Sequence, residues 1–148
     1  NASFDEDVRP YIWKKVIANS GYNGVSAVMR LKVKETFADS YGHDIVMHVW
    51  KEGCAVVKAL GVGDIWPLIE GDIENLRENL GDYYPSMAQD MLYKKLRTEV
   101  DTLTGAISDY GKQFNIPTPT CDVLSDIVRC IQDNYDNQYG EKNGAVNG

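Results

Sequence analysis

The sequence has 148 residues, 43% of them hydrophobic and 25% charged, which are the proportions of one globular domain with its own core. Its formal net charge is -7 and no basic stripe interrupts it, which sets nucleic acid aside as a partner. No apolar run approaches the roughly 18 residues of a membrane span, and no signal peptide opens the chain, so no membrane partner is expected.

In chain order the pattern is helical almost everywhere, with no apolar-polar alternation long enough for a strand. One long apolar helix is predicted from Pro10 to about Met29, proline being well suited to a first turn. "KVKETFAD" then reads as a short turn. A second helix is expected from about Asp44 to Leu60, with Val46, Val49, Val56 and Leu60 on one face and Gly61 as its C-terminal stop. "DIWPLIEGDIENLREN" reads as a shorter helical piece broken by Pro67 and Gly71. Leu92, Leu96, Val100, Leu103, Ile107, Tyr110 and Phe114 then step by 4, 4, 3, 4, 3 and 4, which predicts one buried stripe along a long helix. "NIPTPT" ends it. Thr120 or Asp122 is placed to cap a last helix carrying Leu124, Ile127 and Ile131. Periodicity is lost after Tyr135. The fold class is all-α, a helical bundle.

Cys54, Cys121 and Cys130 are an odd number without CxxC spacing, so they read as buried, reduced thiols in a cytoplasmic protein. His43 and His48, five apart, fall on different helix faces, and no metal site is expected.

Two stretches carry more fixed polarity than a core needs. In "RPYIWKKVIANSGYNGVSAVM", Lys15, Asn19 and Asn23 lie four apart and form one narrow row, with Trp13, Ile17 and Val28 opposite. Because Ile12 and Tyr22 flank the row, the helix is apolar nearly all round and is expected to be buried. Either the row faces water at the surface or it forms the polar wall of a cleft, where a lysine can protonate an oxygen turning negative and the amides can bind a carbonyl, hydroxyl or carboxylate. In "SMAQDMLYKKLRTEVDTLTG", Ser86 and Gln89 have the spacing of a capping box, and Glu99 stands one turn from Lys95.

"IWKKVIANSGYN", "SMAQD…TEVDTLTG", "WKEGCAVVKALGV" and "NIPTPTCDVL" together resemble the C-terminal helical domain of the ketopantoate reductase family, over roughly residues 8 to 131 and in the same order. That family reduces 2-dehydropantoate to pantoate with NADPH, on the route to pantothenate and coenzyme A. The resemblance implies Lys15 as the general acid, with Asn19, Asn23 and Ser86 as substrate contacts. It also implies that Glu99 is the catalytic carboxylate helping to hold substrate and lysine. The implied partners are a small 2-keto acid, an N-terminal Rossmann domain of the same chain that holds the NADPH, and a second copy in a homodimer. Two departures stand out. Gly24 takes the place of the family's proline, so the helix either continues or bends there. The spacing from Ser86 to Glu99 is one residue longer, which would turn a helix by about 100°.

No GxGxxG is present, "GVGD" at 61–64 lacking the third glycine and a preceding strand, so no cofactor-binding residue is expected in this chain. The chain does not begin with Met. Residues 1–7 accordingly read as a cloning remnant and linker, 8–135 as the substrate and dimerisation domain of a two-domain reductase, and 136–148 as a flexible tail. Two alternatives remain. One is a hydroxyacid dehydrogenase of the 6-phosphogluconate type, which shows Lys-x-x-Asn-Asn where this chain has "KVIAN". The other is a non-catalytic helical module that only binds or dimerises.

Overall fold

The computed structural model describes residues 7–76, 78 and 81–140, and among them there is no strand. The N-terminal stretch read as a remnant and linker lies outside the described residues up to 6, and the tail lies outside them from 141 on. Among the described residues no helix is long and apolar enough to cross a membrane.

Helix α1, Arg9–Met29, has Pro10 in its first turn, where a missing N–H leaves no intrahelical bond unmade. It stops at Arg30, whose left-handed backbone (φ 59°) turns its N–H back onto Ser26 and Ala27. The stretch expected as a turn is a short helix instead, α2, Val33–Ala38. Its start is held by the Glu35 carboxylate, which accepts the Lys32 N–H at 2.9 Å, and Val33 and Phe37 are buried beneath it. Helix α3, Ser40–Ala59, begins before Asp44 because the Asp39 carboxylate accepts the Tyr41 and Gly42 N–H groups. Gly61, at φ +84°, follows it in a conformation open to glycine. The broken piece is α4, Trp66–Glu70, and α5, Ile73–Asn75.

The crossing of α1 and α3 is tight. A Cβ on Gly21 would stand 2.3 Å from Trp50 Nε1, so only glycine leaves room for the indole. Trp50 is fully buried and donates through Nε1 to the Ala18 carbonyl at 3.3 Å. Ile17, Val46, Val49 and Val56 share that core, each contributing about 1.5–3 kcal/mol by leaving water. This packing holds α1, the helix that carries the polar row, in a fixed position.

The structure corrects the long helix after Ser86. Helix α6, Ser86–Gln89, widens into a π turn over Asp90–Lys94 and stops at Lys95, which is left-handed at φ 54°. Residues 95–98 are not helical, and a 3₁₀ turn at Val100–Thr102 leads into α7, Thr104–Phe114. The cause is competition for backbone groups. The Gln132 side chain accepts both the N–H and the hydroxyl of Thr98 at 2.9 Å, and the Tyr135 hydroxyl donates to the Leu96 carbonyl at 2.6 Å. The stripe is split accordingly: Val100, Leu103 and Ile107 are buried, whereas Leu96 is 53% exposed and Tyr110 and Phe114 also face solvent.

The last helix, α8, Pro119–Asp133, is capped by neither Thr120 nor Asp122. The Glu52 carboxylate reaches over from α3 and accepts the Thr120 and Cys121 N–H groups at 2.9 Å each. A negative charge is favourable at that end of a helix. Cys54 and Cys121 are buried thiols, and burial, aided by Asp64, pushes Cys54 up to about 12. Cys130 departs from the expectation: it lies exposed on α8.

Candidate functional site

Because α1 is unbroken from Arg9 to Met29, Lys15, Asn19 and Asn23 share one face. The face is graded rather than uniformly buried: Lys15 is exposed, Asn19 half-buried, and Asn23 only 6% exposed. The expectation of a helix buried along its length fails at its start, where Val8, Tyr11 and Ile12 are each more than half exposed. They lie at the entry of the chain, beyond the α3 crossing that covers the rest of the helix. Neighbouring lysines are also unlike. Lys14 is tied to Asp72 at 2.7 Å, whereas the Lys15 ammonium has no ion pair among the described residues.

Asn23 links the two polar stretches. Its Oδ1 accepts the Met87 N–H and the Ser86 hydroxyl, both at 3.4 Å. The capping box expected from Ser86 and Gln89 does not form. Ser86 is the first helical residue and not the cap, Pro85 precedes it, and Gln89 donates instead to the Tyr84 carbonyl at 3.0 Å. An asparagine from another helix therefore does the work that sequence spacing assigns to the local serine. Since a backbone N–H can only donate, Asn23 must turn its oxygen towards α6, which leaves its NH₂ as the outward group.

Asn19 is held in a similar way. The Tyr22 hydroxyl, one turn along α1, donates to Asn19 Oδ1. Tyr22 is half-buried, and desolvation, reinforced by the adjacent Tyr83 hydroxyl and by Asp72, pushes its phenol up to about 12. The spacing of Asn19 and Tyr22 is visible in the sequence, but their contact emerges only with the rotamers.

Glu99 makes no hydrogen bond or ion pair to this group among the described residues, although the 3₁₀ turn that follows it packs against α1. It is exposed, just before the 3₁₀ turn, and its carboxylate has no hydrogen bond or ion pair among the described residues. Lys95 instead donates to the Met91 carbonyl and lies over the Tyr135 ring. The added residue between Ser86 and Glu99 falls in a stretch containing a π turn, which takes up one residue more than an α turn. A 100° change of helical register does not apply to Glu99, because it is not on that helix. The other departure has a plain outcome: α1 continues through Gly24.

The sequence profile described as "Ketopantoate reductase PanE/ApbA C terminal" matches residues 7–132. This chain belongs to the ketopantoate reductase family. A 2-dehydropantoate 2-reductase of Streptococcus pyogenes is 31% identical over 128 residues, covering 86% of this chain and 42% of the relative. Its counterpart in Pyrococcus abyssi is 34% identical over 117 residues, 77% of this chain and 37% of that protein. The chain thus spans less than half the length of the curated relatives it matches. Among solved structures, D-mandelate dehydrogenase with NADH and anilino(oxo)acetate superimposes with a TM-score of 0.82 at 28% identity, over 88% of this chain and 43% of that one. The PanE/ApbA family ketopantoate reductase of Ralstonia eutropha gives 0.76 at 30% identity, over 88% and 43%. The all-α architecture is that of the family's C-terminal domain.

Proposed function

We propose that the full-length protein reduces a 2-keto acid to the 2-hydroxy acid, 2-dehydropantoate to pantoate in the first assignment. This chain is its C-terminal substrate-binding domain. The observation that carries the reading is the row on α1: a Lys15 ammonium with no ion pair among the described residues, one turn from Asn19 and in line with Asn23, which is tied to Ser86. The first turns of α1, with Val8, Tyr11, Ile12 and a shallow groove of about 270 Å³ lined by Arg9, Ile12, Trp13 and Val16, offer apolar surface for the preceding domain to pack on. Gly61 and Gly63 lie in the loop after α3, and among the described residues no strand precedes them. A nicotinamide cofactor, NADPH, would be held by that preceding domain and would supply the hydride.

Each residue here has a defined task. Addition of a hydride to the keto carbon places negative charge on its oxygen, and the Lys15 ammonium stabilises and protonates that oxygen. The Asn19 and Asn23 amides, with Ser86, hold the carboxylate and keto oxygen in reach. Glu99, next to a turn that packs against α1, helps to hold the substrate and the lysine. A cytoplasmic homodimer is the expected assembly.

The likeness to D-mandelate dehydrogenase supports a second reading, in which the substrate carries an aromatic side chain and the cofactor is NADH. The two are separated by measuring kcat/KM of the full-length protein for 2-dehydropantoate and for phenylglyoxylate, each with NADPH and with NADH. The first reading expects the highest value for 2-dehydropantoate with NADPH. A preference for phenylglyoxylate with NADH selects the second, and no turnover of either acid overturns both.

A further inference from the structure

We infer that Gln132, on α8, is a positioning residue for Glu99, fixing the turn that presents this carboxylate to the substrate. The inference rests on the reading of Glu99 as a site carboxylate beside the α1 row. Gln132 is only 7% exposed, and its Oε1 accepts both the Thr98 N–H and the Thr98 hydroxyl at 2.9 Å. A backbone N–H can only donate, so the amide must turn its oxygen to Thr98, and the hydroxyl must give its proton to that oxygen. The hydroxyl oxygen in turn accepts the Val100 N–H at 3.3 Å, which closes a side-chain turn around residue 99. One buried amide thus sets the backbone on both sides of Glu99.

The neighbouring residues are fastened in the same direction. Arg97 pairs with Asp133 and Asp101 with Arg129, so the chain is tied to α8 both before and after Glu99. Those ion pairs are exposed and hold little by themselves, which leaves the buried Gln132 amide as the main restraint. Val100 is fully buried in a cluster with Ala27 of α1 and with Met87 and Ala88 of α6, and Val16, the residue after Lys15, packs on the same cluster. The turn that follows Glu99 and the helix that begins at Ser86 therefore rest on one apolar seat against α1. Glu99 itself is exposed and its carboxylate makes no hydrogen bond or ion pair among the described residues, so the restraint on it acts through the backbone. A carboxylate that must meet a lysine and a bound keto acid gains from such a bracket, because a group already in place has less freedom to lose on binding.

The test is a double-mutant cycle in the full-length protein, read by kcat/KM for 2-dehydropantoate with NADPH and by the melting temperature. Gln132→Met keeps the length of the side chain and removes the acceptor. It is expected to lower kcat/KM roughly tenfold, the effect of a misplaced site group, and to lower the melting temperature as well, since the Thr98 N–H loses its partner. In a Glu99→Gln background the same substitution should lower the melting temperature equally but leave kcat/KM where Glu99→Gln has put it. Thr98→Val cuts only the hydroxyl link and spares the N–H bond, so it should show the same coupling with a smaller loss, and it carries the test should Gln132→Met fail to fold. A wild-type kcat/KM for Gln132→Met overturns the inference, as does an equal fall in both backgrounds, which marks a purely structural residue. If Glu99→Gln itself keeps the wild-type kcat/KM, Glu99 is no site carboxylate, and the inference falls with the reading beneath it.

Discussion

Asn23 does two jobs with one amide. Its oxygen accepts the Met87 N–H and the Ser86 hydroxyl, which leaves its NH₂ for the row it shares with Lys15 and Asn19. Replacing it by alanine leaves the Met87 N–H without its acceptor at a nearly buried position, at a cost of about 1–2 kcal/mol. Ser86→Ala should cost much less, since it loses only a 3.4 Å neutral bond and no backbone group is orphaned. Urea titrations of the two variants check this ordering; a larger loss for Ser86→Ala would return the capping role to the serine. The row itself was legible, because spacing of four in a sustained helix fixes which side chains are neighbours. The partner of Ser86 was not, because a capping box and a bond to a residue 63 positions away look alike in sequence.

At the level of elements, the break after Lys94 is the main departure from the sequence reading. Steps of 4, 4 and 3 from Leu92 to Leu103 satisfy a helix, yet Leu96 owes its place in that pattern to coincidence. Its backbone carbonyl is taken by Tyr135 and the next turn by Gln132, contacts from α8 and just beyond it that no local pattern encodes. Both ends of α1 and the end of α3 fared better because local chemistry sets them, with a proline in the first turn of α1 and a glycine after α3, whereas the start of α3 was placed too late because the Asp39 cap was not recognised. The capping of α8 by Glu52 belongs to the unreadable kind, since its carboxylate comes from a helix 68 residues earlier. The break makes a quantitative expectation. Leu96→Ala should change stability by no more than about 0.5 kcal/mol, as for a surface position, whereas Ile107→Ala should cost about 2–5 kcal/mol. Thermal unfolding of both variants decides it, and comparable large losses would restore the continuous stripe.

For the molecule as a whole, family and architecture follow from the match over residues 7–132, and the chemistry rests on how α1 is held. The Trp50 crossing fixes the middle of the helix, α6 docks on its buried amide, and its first turns stay open where Lys15 projects. The folding contacts of α1 thus lie away from Lys15, which allows stability and the proposed proton donation to be separated. An exposed lysine with no ion pair among the described residues contributes little to folding, whereas a general acid contributes to the transition state alone. The most direct measurement is steady-state reduction of 2-dehydropantoate by full-length wild type and Lys15→Ala, alongside the melting temperature of each. The account predicts a fall in kcat of roughly 100-fold or more with an unchanged melting temperature. A Lys15→Ala enzyme that keeps the wild-type kcat would contradict it.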